Sequence, residues 1–165
     1  MTATDFKSKI CTHLDAMYRV ALVLCGNSAD ASDAVQDAAV KLWESRDKLD
    51  AVTNTQAYCV AAARNAALTL IRSRRHAESL DPAYPLPAET STEQEIEAAD
   101  TARRLESIAA TLPENQRTVL AMRDFQGCEM DEIEQVTGLS AGNIRVLLSR
   151  ARATIRKHFE NEHTD

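Results

Sequence analysis

The feature that most limits the possible folds of this chain is an acidic segment near its middle that contains three of its four prolines. Residues 77–95 read AESLDPAYPLPAETSTEQE. Proline has no backbone N–H and disrupts a helix interior, so no helix is expected to run through this segment. The 165-residue chain is therefore predicted to form two small domains. The expected boundaries are 1–76 for the first domain, 77–100 for a flexible linker, 101–160 for the second domain and 161–165 for a tail.

Both domains are expected to be all-α. Aromatic residues make up only 4% of the chain, and four glycines leave little material for a turn-rich β fold. The N-terminal domain is predicted to have three to four helices, and apolar residues spaced from Phe6 to Leu24 predict one continuous first helix. Gly26 is expected to end this helix, and Ser28 or Asp30 to cap the next. The C-terminal domain is predicted to have four helices.

The last two of these four helices have the pattern of a helix-turn-helix. A short helix at 130–136 is predicted to end at Thr137-Gly138-Leu139, and a second helix begins at Ser140. Between Val136 and Phe159 there is no Asp or Glu, although the segment contains five Arg or Lys residues. A solvated helix face is the alternative interpretation, but such faces normally mix both signs of charge. In a chain of net charge −6, this basic helix indicates binding to nucleic-acid phosphates.

Helical spacing divides the basic helix into a core side and an outward side. Ile144 and Leu148 begin an apolar stripe that is expected to be buried. On the opposite side, Val146 can contact a thymine methyl, Asn143 can pair with adenine, and Arg150 can bind guanine or a phosphate. The predicted DNA contacts are Ser140, Gly142, Asn143, Arg145, Val146, Ser149, Arg150, Arg152 and Arg156.

Other function classes find little support in the chain. Four cysteines are widely spaced without a Cys-x-x-Cys pair, so no zinc site is expected, and they are interpreted as small buried residues in a reducing compartment. Four histidines show no ligand or catalytic spacing, and no glycine-rich phosphate loop occurs. We therefore expect no metal, no cofactor and no catalysis. Without a signal peptide or a membrane-spanning run, the expectation is a cytoplasmic protein that does not insert into membranes.

Acidic charge is concentrated in two places. The linker at 77–100 holds seven acidic residues and no Lys or Arg. The helix predicted at 30–45 carries Asp30, Asp33 and Asp37 on one side that is expected to be exposed, with Gln36 beside them. Taken alone, this strip is either a solvated helix face or a surface that contacts a partner.

Four short motifs occur in order along the chain: the Asp-Ala-x-Asp-x-Val-Gln-Asp run at 30–37, Ala63-Arg64-Asn65, Leu112-Pro113-x-x-Gln116-Arg117 and Ser149-Arg150-Ala151-Arg152. Taken in order, they resemble sigma factors of the sigma-70 family. Each motif is weak alone, but their order and spacing are highly specific. The resemblance covers residues 6–159 and is closest to the extracytoplasmic-function (ECF) group, which keeps only conserved regions 2 and 4.

The resemblance implies a role for each part of the N-terminal domain. In the family, the helix that matches 30–43 docks on the clamp helices of the large RNA polymerase subunit. The loop at 47–56 and the start of the next helix open the −10 promoter element and hold a flipped base. The implied polymerase contacts are Asp30, Asp33, Gln36 and Asp37. The implied −10 contacts are Tyr58, Arg64, Asn65, Arg72, Arg74 and Arg75.

For the C-terminal domain, the resemblance implies recognition of the −35 element by the helix at 141–156. The nine DNA contacts named above would then be −35 contacts, and the acidic linker would lie near the polymerase active-site cleft and RNA exit channel. The implied function is promoter-specific initiation of transcription, with no catalysis by the chain itself. The implied partners are core RNA polymerase, double-stranded promoter DNA, melted single-stranded −10 DNA and an anti-sigma factor.

The chain departs from the family pattern at a few positions. Val60 and Ala61 stand where many relatives have aromatic and basic residues, Thr69 replaces an Asp, and Leu147 replaces a common Arg. Melting by aromatic stacking is therefore expected to depend on Tyr58 or on the loop. The alternative interpretation is a stand-alone helix-turn-helix regulator, which would bind duplex DNA without polymerase.

Overall fold

The computed structural model describes residues 1–80, 103–105 and 107–163. The predicted linker lies outside the described residues from position 81 onward, and so do its three prolines. All regular secondary structure in the described ranges is helical, as the all-α prediction requires. No helix among these residues is both long enough and apolar enough to cross a membrane.

The N-terminal domain consists of three packed helices with two short ones. Its core is formed where the second, third and fifth helices meet, with Met17, Ala34 and Ala63 all fully buried. Small residues at these positions let the helix backbones approach closely. The helices are α1 (Ala3–Lys9), α2 (Leu14–Cys25), α3 (Ser28–Glu44), α4 (Arg46–Leu49) and α5 (Thr55–Leu80), with a 3-10 turn at Cys11–His13 between α1 and α2.

Two predictions about the first helices are wrong. The stripe from Phe6 onward is interrupted at Ile10, where the 3-10 turn redirects the chain. This turn lets Ile10 enter the core while Phe6 packs edge-on against Trp43, with ring centroids 5.1 Å apart. The cap of α3 is Asn27, whose side chain accepts the backbone N–H of Asp30, rather than Ser28 or Asp30.

The C-terminal domain contains the predicted helix-turn-helix. Gly138 has a φ of 73°, a left-handed conformation that ends the first helix of the motif at low cost. The Ser140 hydroxyl then accepts the backbone N–H of Asn143 and starts the second helix. The elements are α6 (helical at 103–105 and 107–110), α7 (Glu114–Leu120), a π-helical turn (Ala121–Phe125), α8 (Met130–Thr137) and α9 (Ala141–His163).

The two domains pack directly against each other, and Arg117 lies at their junction. Its guanidinium is 6% exposed and donates to the carbonyl of Leu24 in α2 at 3.0 Å. It also donates to Ala110 and Leu112 of its own domain, at 3.1 and 2.9 Å. Burial lowers the pKa of Arg117, but a guanidinium stays charged at any physiological pH. Three carbonyl acceptors therefore compensate one buried cation that is shared by both domains.

Candidate nucleic-acid interface

The basic helix α9 has the buried and outward sides that its sequence predicts. Ile144, Leu148 and Ala151 are 0–4% exposed and pack into the core of the C-terminal domain. Val146, on the opposite side, is 45% exposed although it is apolar. At Gly142 an added Cβ would meet no atom within 4 Å, so the start of the outward side is open.

One flank of α9 forms a groove with the preceding π-helical turn. Arg145, Arg152 and Arg156 line it together with Arg123, and the groove encloses about 450 Å³. We call it the arginine groove. Arg123 was not among the predicted DNA contacts, because its position depends on the π-helical turn. In this turn the N–H of Gln126 bonds to the carbonyl of Ala121, five residues earlier.

Asp124 lies beside the arginine groove and holds Arg152. The carboxylate accepts the Nε–H of Arg152 at 2.8 Å and an Nη2–H at 2.6 Å, which is a bidentate contact. The hydrogen bonds that Arg152 donates to the Asp124 carboxylate raise the pKa of Arg152. One of the four arginines in the groove is therefore paired within the chain.

A second groove lies between α3 and α5 in the N-terminal domain. It encloses about 350 Å³, and its lining includes Tyr58, Ala61, Asn65 and Thr69 from α5. Tyr58 is 41% exposed, so its ring is available to a ligand. Two of the departures from the family pattern line this groove, whereas Val60 is fully buried and serves the core. We call it the Tyr58 groove.

The basic residues of α5 are in different environments. The Arg64 guanidinium donates to Asn65 at 3.0 Å, and desolvation lowers its pKa. Arg72 is ion-paired across the domain boundary with Glu114. Arg75 is exposed. Arg74 is paired within its own domain, as described next.

The acidic strip of α3 is only partly exposed. Asp33, Gln36 and Asp37 lie at the surface, as predicted. Asp30 is 5% exposed, accepts an N–H from the Asn27 side chain and pairs with Arg74. The expectation that Asp30 belongs to the exposed side is therefore wrong, because the Asn27 cap turns it inward toward a cation 44 positions later.

Val40 is an exposed apolar residue beside the acidic strip, and it was not among the predicted polymerase contacts. Val40 lies seven positions after Asp33, which places both on one helix face. It is 56% exposed, the largest value among the large apolar residues that the structure describes. The exposed face of α3 therefore presents both carboxylates and an apolar side chain.

The loop that precedes α5 is covered by α8 of the other domain. Asn54 donates from Nδ2 to Oε1 of Glu132 at 2.8 Å. A cleft of about 450 Å³ separates residues 51–54 and Tyr58 from Gln135 and Val136. The loop predicted to hold a flipped base thus faces an acidic helix of the C-terminal domain in this structure.

Comparison with known families decides between the two interpretations of the sequence. The family described as sigma-70 region 2 matches residues 10–77, and the family described as sigma-70, region 4 matches residues 102–155. The chain belongs to the sigma-70 family. A stand-alone helix-turn-helix regulator would account for the second match alone, so that interpretation is wrong.

Individual relatives place this sigma factor in the ECF group. It is 29% identical over 164 residues to the RNA polymerase sigma-E factor of Streptomyces avermitilis, covering 98% of this chain and 88% of that protein. It is 25% identical over 157 residues to the ECF RNA polymerase sigma factor SigE of Mycolicibacterium smegmatis, covering 93% and 61%. The probable sigma factor RfaY of Xanthomonas campestris is 29% identical over 147 residues, but the chain spans only 36% of its length.

Solved structures of sigma factors have the same fold. The sigma factor RpoE of Bartonella quintana, in complex with the anti-sigma factor NepR, superposes with a TM-score of 0.80 at 22% identity, covering 96% of this chain and 98% of that one. CnrH, in complex with the cytosolic domain of CnrY, gives a TM-score of 0.73 at 22% identity, covering 97% and 90%. The predicted fold class, a region 2 type domain and a region 4 type domain, is confirmed.

Proposed function

We propose that this sigma factor binds core RNA polymerase and directs it to promoters by contacting the −10 element with its N-terminal domain and the −35 element with its C-terminal domain. The observation that carries the proposal is the outward side of α9, where Val146 is 45% exposed beside the arginine groove. The arginines supply contacts to phosphates, and the major groove offers the exposed Val146 side chain a thymine methyl to contact.

On the −35 element, base contacts and phosphate contacts come from different parts of α9. Asn143, Val146 and Arg150 face base edges and supply sequence specificity. The arginine groove lies to one side of them and binds the phosphates of one strand, which positions the helix without reading sequence. Arg123 belongs to this phosphate-binding set. Leu147 is half-buried and takes no part.

On the −10 element, the Tyr58 groove accepts an unpaired base. Extruding a base from the duplex costs a few kcal/mol. Stacking on an aromatic ring returns about 1–3 kcal/mol per base, so Tyr58 can offset much of this cost. Asn65 offers both a donor and an acceptor to the base edge. Small side chains at Ala61 and Thr69 leave room for the base between α3 and α5.

The polymerase contact lies on the exposed face of α3. Asp33, Gln36 and Asp37 supply charge and hydrogen bonds, and Val40 supplies apolar area beside them. Asp30 lies beneath this surface and fixes the start of α3 against α5 through its ion pair with Arg74. It is therefore a structural residue rather than a contact.

On a promoter the two domains must separate. The −10 and −35 elements lie about 25 base pairs apart, which is roughly 85 Å at 3.4 Å per base pair. Here the domains touch through the hydrogen bond between Arg117 and Leu24 at 3.0 Å. The compact form is the free cytoplasmic state, and core polymerase draws the domains apart. An anti-sigma factor, the kind of partner bound by the solved relative RpoE, would hold the compact form.

Run-off transcription with purified core polymerase tests the function, and variants test the residues. Asp33→Ala and Gln36→Ala should weaken polymerase binding in a pull-down without changing promoter preference. Val146→Ser and Asn143→Ala should change preference at the −35 element while polymerase binding stays at the wild-type level. Failure of the wild-type chain to bind core polymerase, where a known ECF sigma factor binds, would reject the proposal.

A further inference from the structure

The carboxylate of Asp124 is hydrogen-bonded to one arginine of the arginine groove, and the proposed function assigns it no role. The residues that line the groove include four arginines and no acid. Asp124 reaches the groove only through its bidentate contact with Arg152. The side chains of Arg152 and Asp124 are 48% and 31% exposed, so neither is locked in the protein interior.

This arrangement depends on the π-helical turn that places Asp124 next to α9. Within the turn the backbone takes a wider path, and Arg123 donates to the carbonyl of Cys128 at 2.7 Å. Arg123 and Asp124, neighbours in sequence, therefore both face α9. The groove receives a cation and an anion from the same turn.

A phosphate bound in the arginine groove would lie close to Asp124. Arg152 uses its Nε–H and one Nη2–H on the carboxylate, which are two of its five donors. The bidentate geometry that suits this carboxylate also suits a phosphate, so the two anions compete for the same fork. The negative charge of Asp124 also repels a phosphate held by the neighbouring arginines.

From this competition we infer that Asp124 lowers the affinity of the chain for DNA of any sequence, by holding Arg152 in the ion pair and away from the DNA phosphates. The inference rests on the proposed function, because it assigns phosphate binding to the arginine groove. Its benefit is specificity: a chain that binds random DNA weakly is free to reach polymerase and the promoter.

The test measures binding of the full chain to a short fluorescent duplex of random sequence. Fluorescence anisotropy reports the binding at a series of salt concentrations. Asp124→Asn should free one guanidinium for one more phosphate. The slope of log K against log salt should then steepen by about 0.9, so the ratio of variant to wild-type affinity should be about eightfold larger at 0.1 M salt than at 1 M. Asp124→Glu should behave as the wild type.

Two further variants separate this effect from a general change of charge. Asp15→Asn removes the same charge from an exposed position of α2 in the other domain and should leave both slope and affinity near wild type. Arg152→Gln combined with Asp124→Asn should lose the gain. Equal effects of Asp124→Asn and Asp15→Asn, or weaker binding by Asp124→Asn, would overturn the inference.

Failure of this inference is distinguishable from failure of the proposed function. The same preparations are assayed by run-off transcription with core polymerase. If the wild-type chain supports initiation but Asp124→Asn does not change binding to random DNA, only the role of Asp124 is rejected. A wild-type chain that does not support initiation rejects the proposed function, whatever the anisotropy shows.

Discussion

Replacing Asn54 by aspartate should loosen the contact between the two domains without unfolding either one. Asn54 has two roles: its Oδ1 accepts the N–H of Ala57 at 3.1 Å and caps α5, and its Nδ2 donates to Glu132 at 2.8 Å. Aspartate keeps the first role, because it caps helices as well as asparagine does. It loses the second and places a carboxylate against the carboxylate of Glu132.

The magnitude follows from the geometry of this contact. Two unit charges about 3 Å apart in water repel by about 1.4 kcal/mol. The lost hydrogen bond adds to this, but both groups are exposed and side-chain motion relieves part of the repulsion, so the net effect is about 1–2 kcal/mol. The ratio of separated to compact molecules should therefore rise roughly 5- to 30-fold.

Small-angle X-ray scattering measures the outcome. A compact chain of this length has a radius of gyration of about 15 Å, and separation of the domains increases it. Asn54→Asp should increase the radius, whereas Asn54→Asp combined with Glu132→Gln should return it toward the wild-type value, because glutamine removes the repulsion and preserves the capping position in α8. A double variant as expanded as the single one, or a single variant as compact as wild type, would refute this account of the contact.

Three other perturbations test the interior. Arg117→Ala leaves three carbonyls, two of them in buried hydrogen bonds, without this donor and should lower the free energy of unfolding by about 3 kcal/mol, measured by urea denaturation. Asp30→Ala should lower the thermal midpoint by several degrees, the effect of about 1–2 kcal/mol, through loss of a partly buried ion pair. A normal midpoint with weaker polymerase binding would contradict its structural role. Burial raises the pKa of Cys59 and Cys128 to about 11, so at pH 8 iodoacetamide should modify exposed Cys11 first, as read by mass spectrometry. Because these folded-state pKa values lie above the unfolded value of 9.0, the two thiols stabilise the fold fully below pH 9, and the free energy of unfolding should fall as pH rises toward 11.

Local signals were sufficient to predict the helix-turn-helix and most of the helices, but not the 3-10 turn that interrupts the first predicted helix. Gly138 ends α8 and Ser140 starts α9 through contacts within a few residues. Such contacts can be predicted from a short stretch of sequence. The burial of Asp30 was not predictable in this way, because it depends on Arg74 in another helix. Arg123 was missed for a related reason: the π-helical turn does not follow the α-helical spacing from which its direction would be inferred.

The packing of the two domains against each other could not be predicted from the sequence. Nothing in the residues near Arg117 indicates that one of its acceptors is the carbonyl of Leu24, which lies 93 positions earlier. Motif order identified which domains are present, but their packing depends on shape and on many weak contacts. The residue roles at the −10 and −35 elements stay predictions for the experiments above.

The π-helical turn at Ala121–Phe125 makes the charge of the arginine groove depend on chain length as well as on residue type. A turn of this kind contains one residue more than the α-helical turn it replaces. Deleting a single residue there would rotate the side chains around it by about 100° relative to α9. The side chains of Arg123 and Asp124 would then both point away from α9, although neither residue had been substituted. A change in DNA affinity between relatives can thus arise from an insertion or deletion that leaves every charged residue in place.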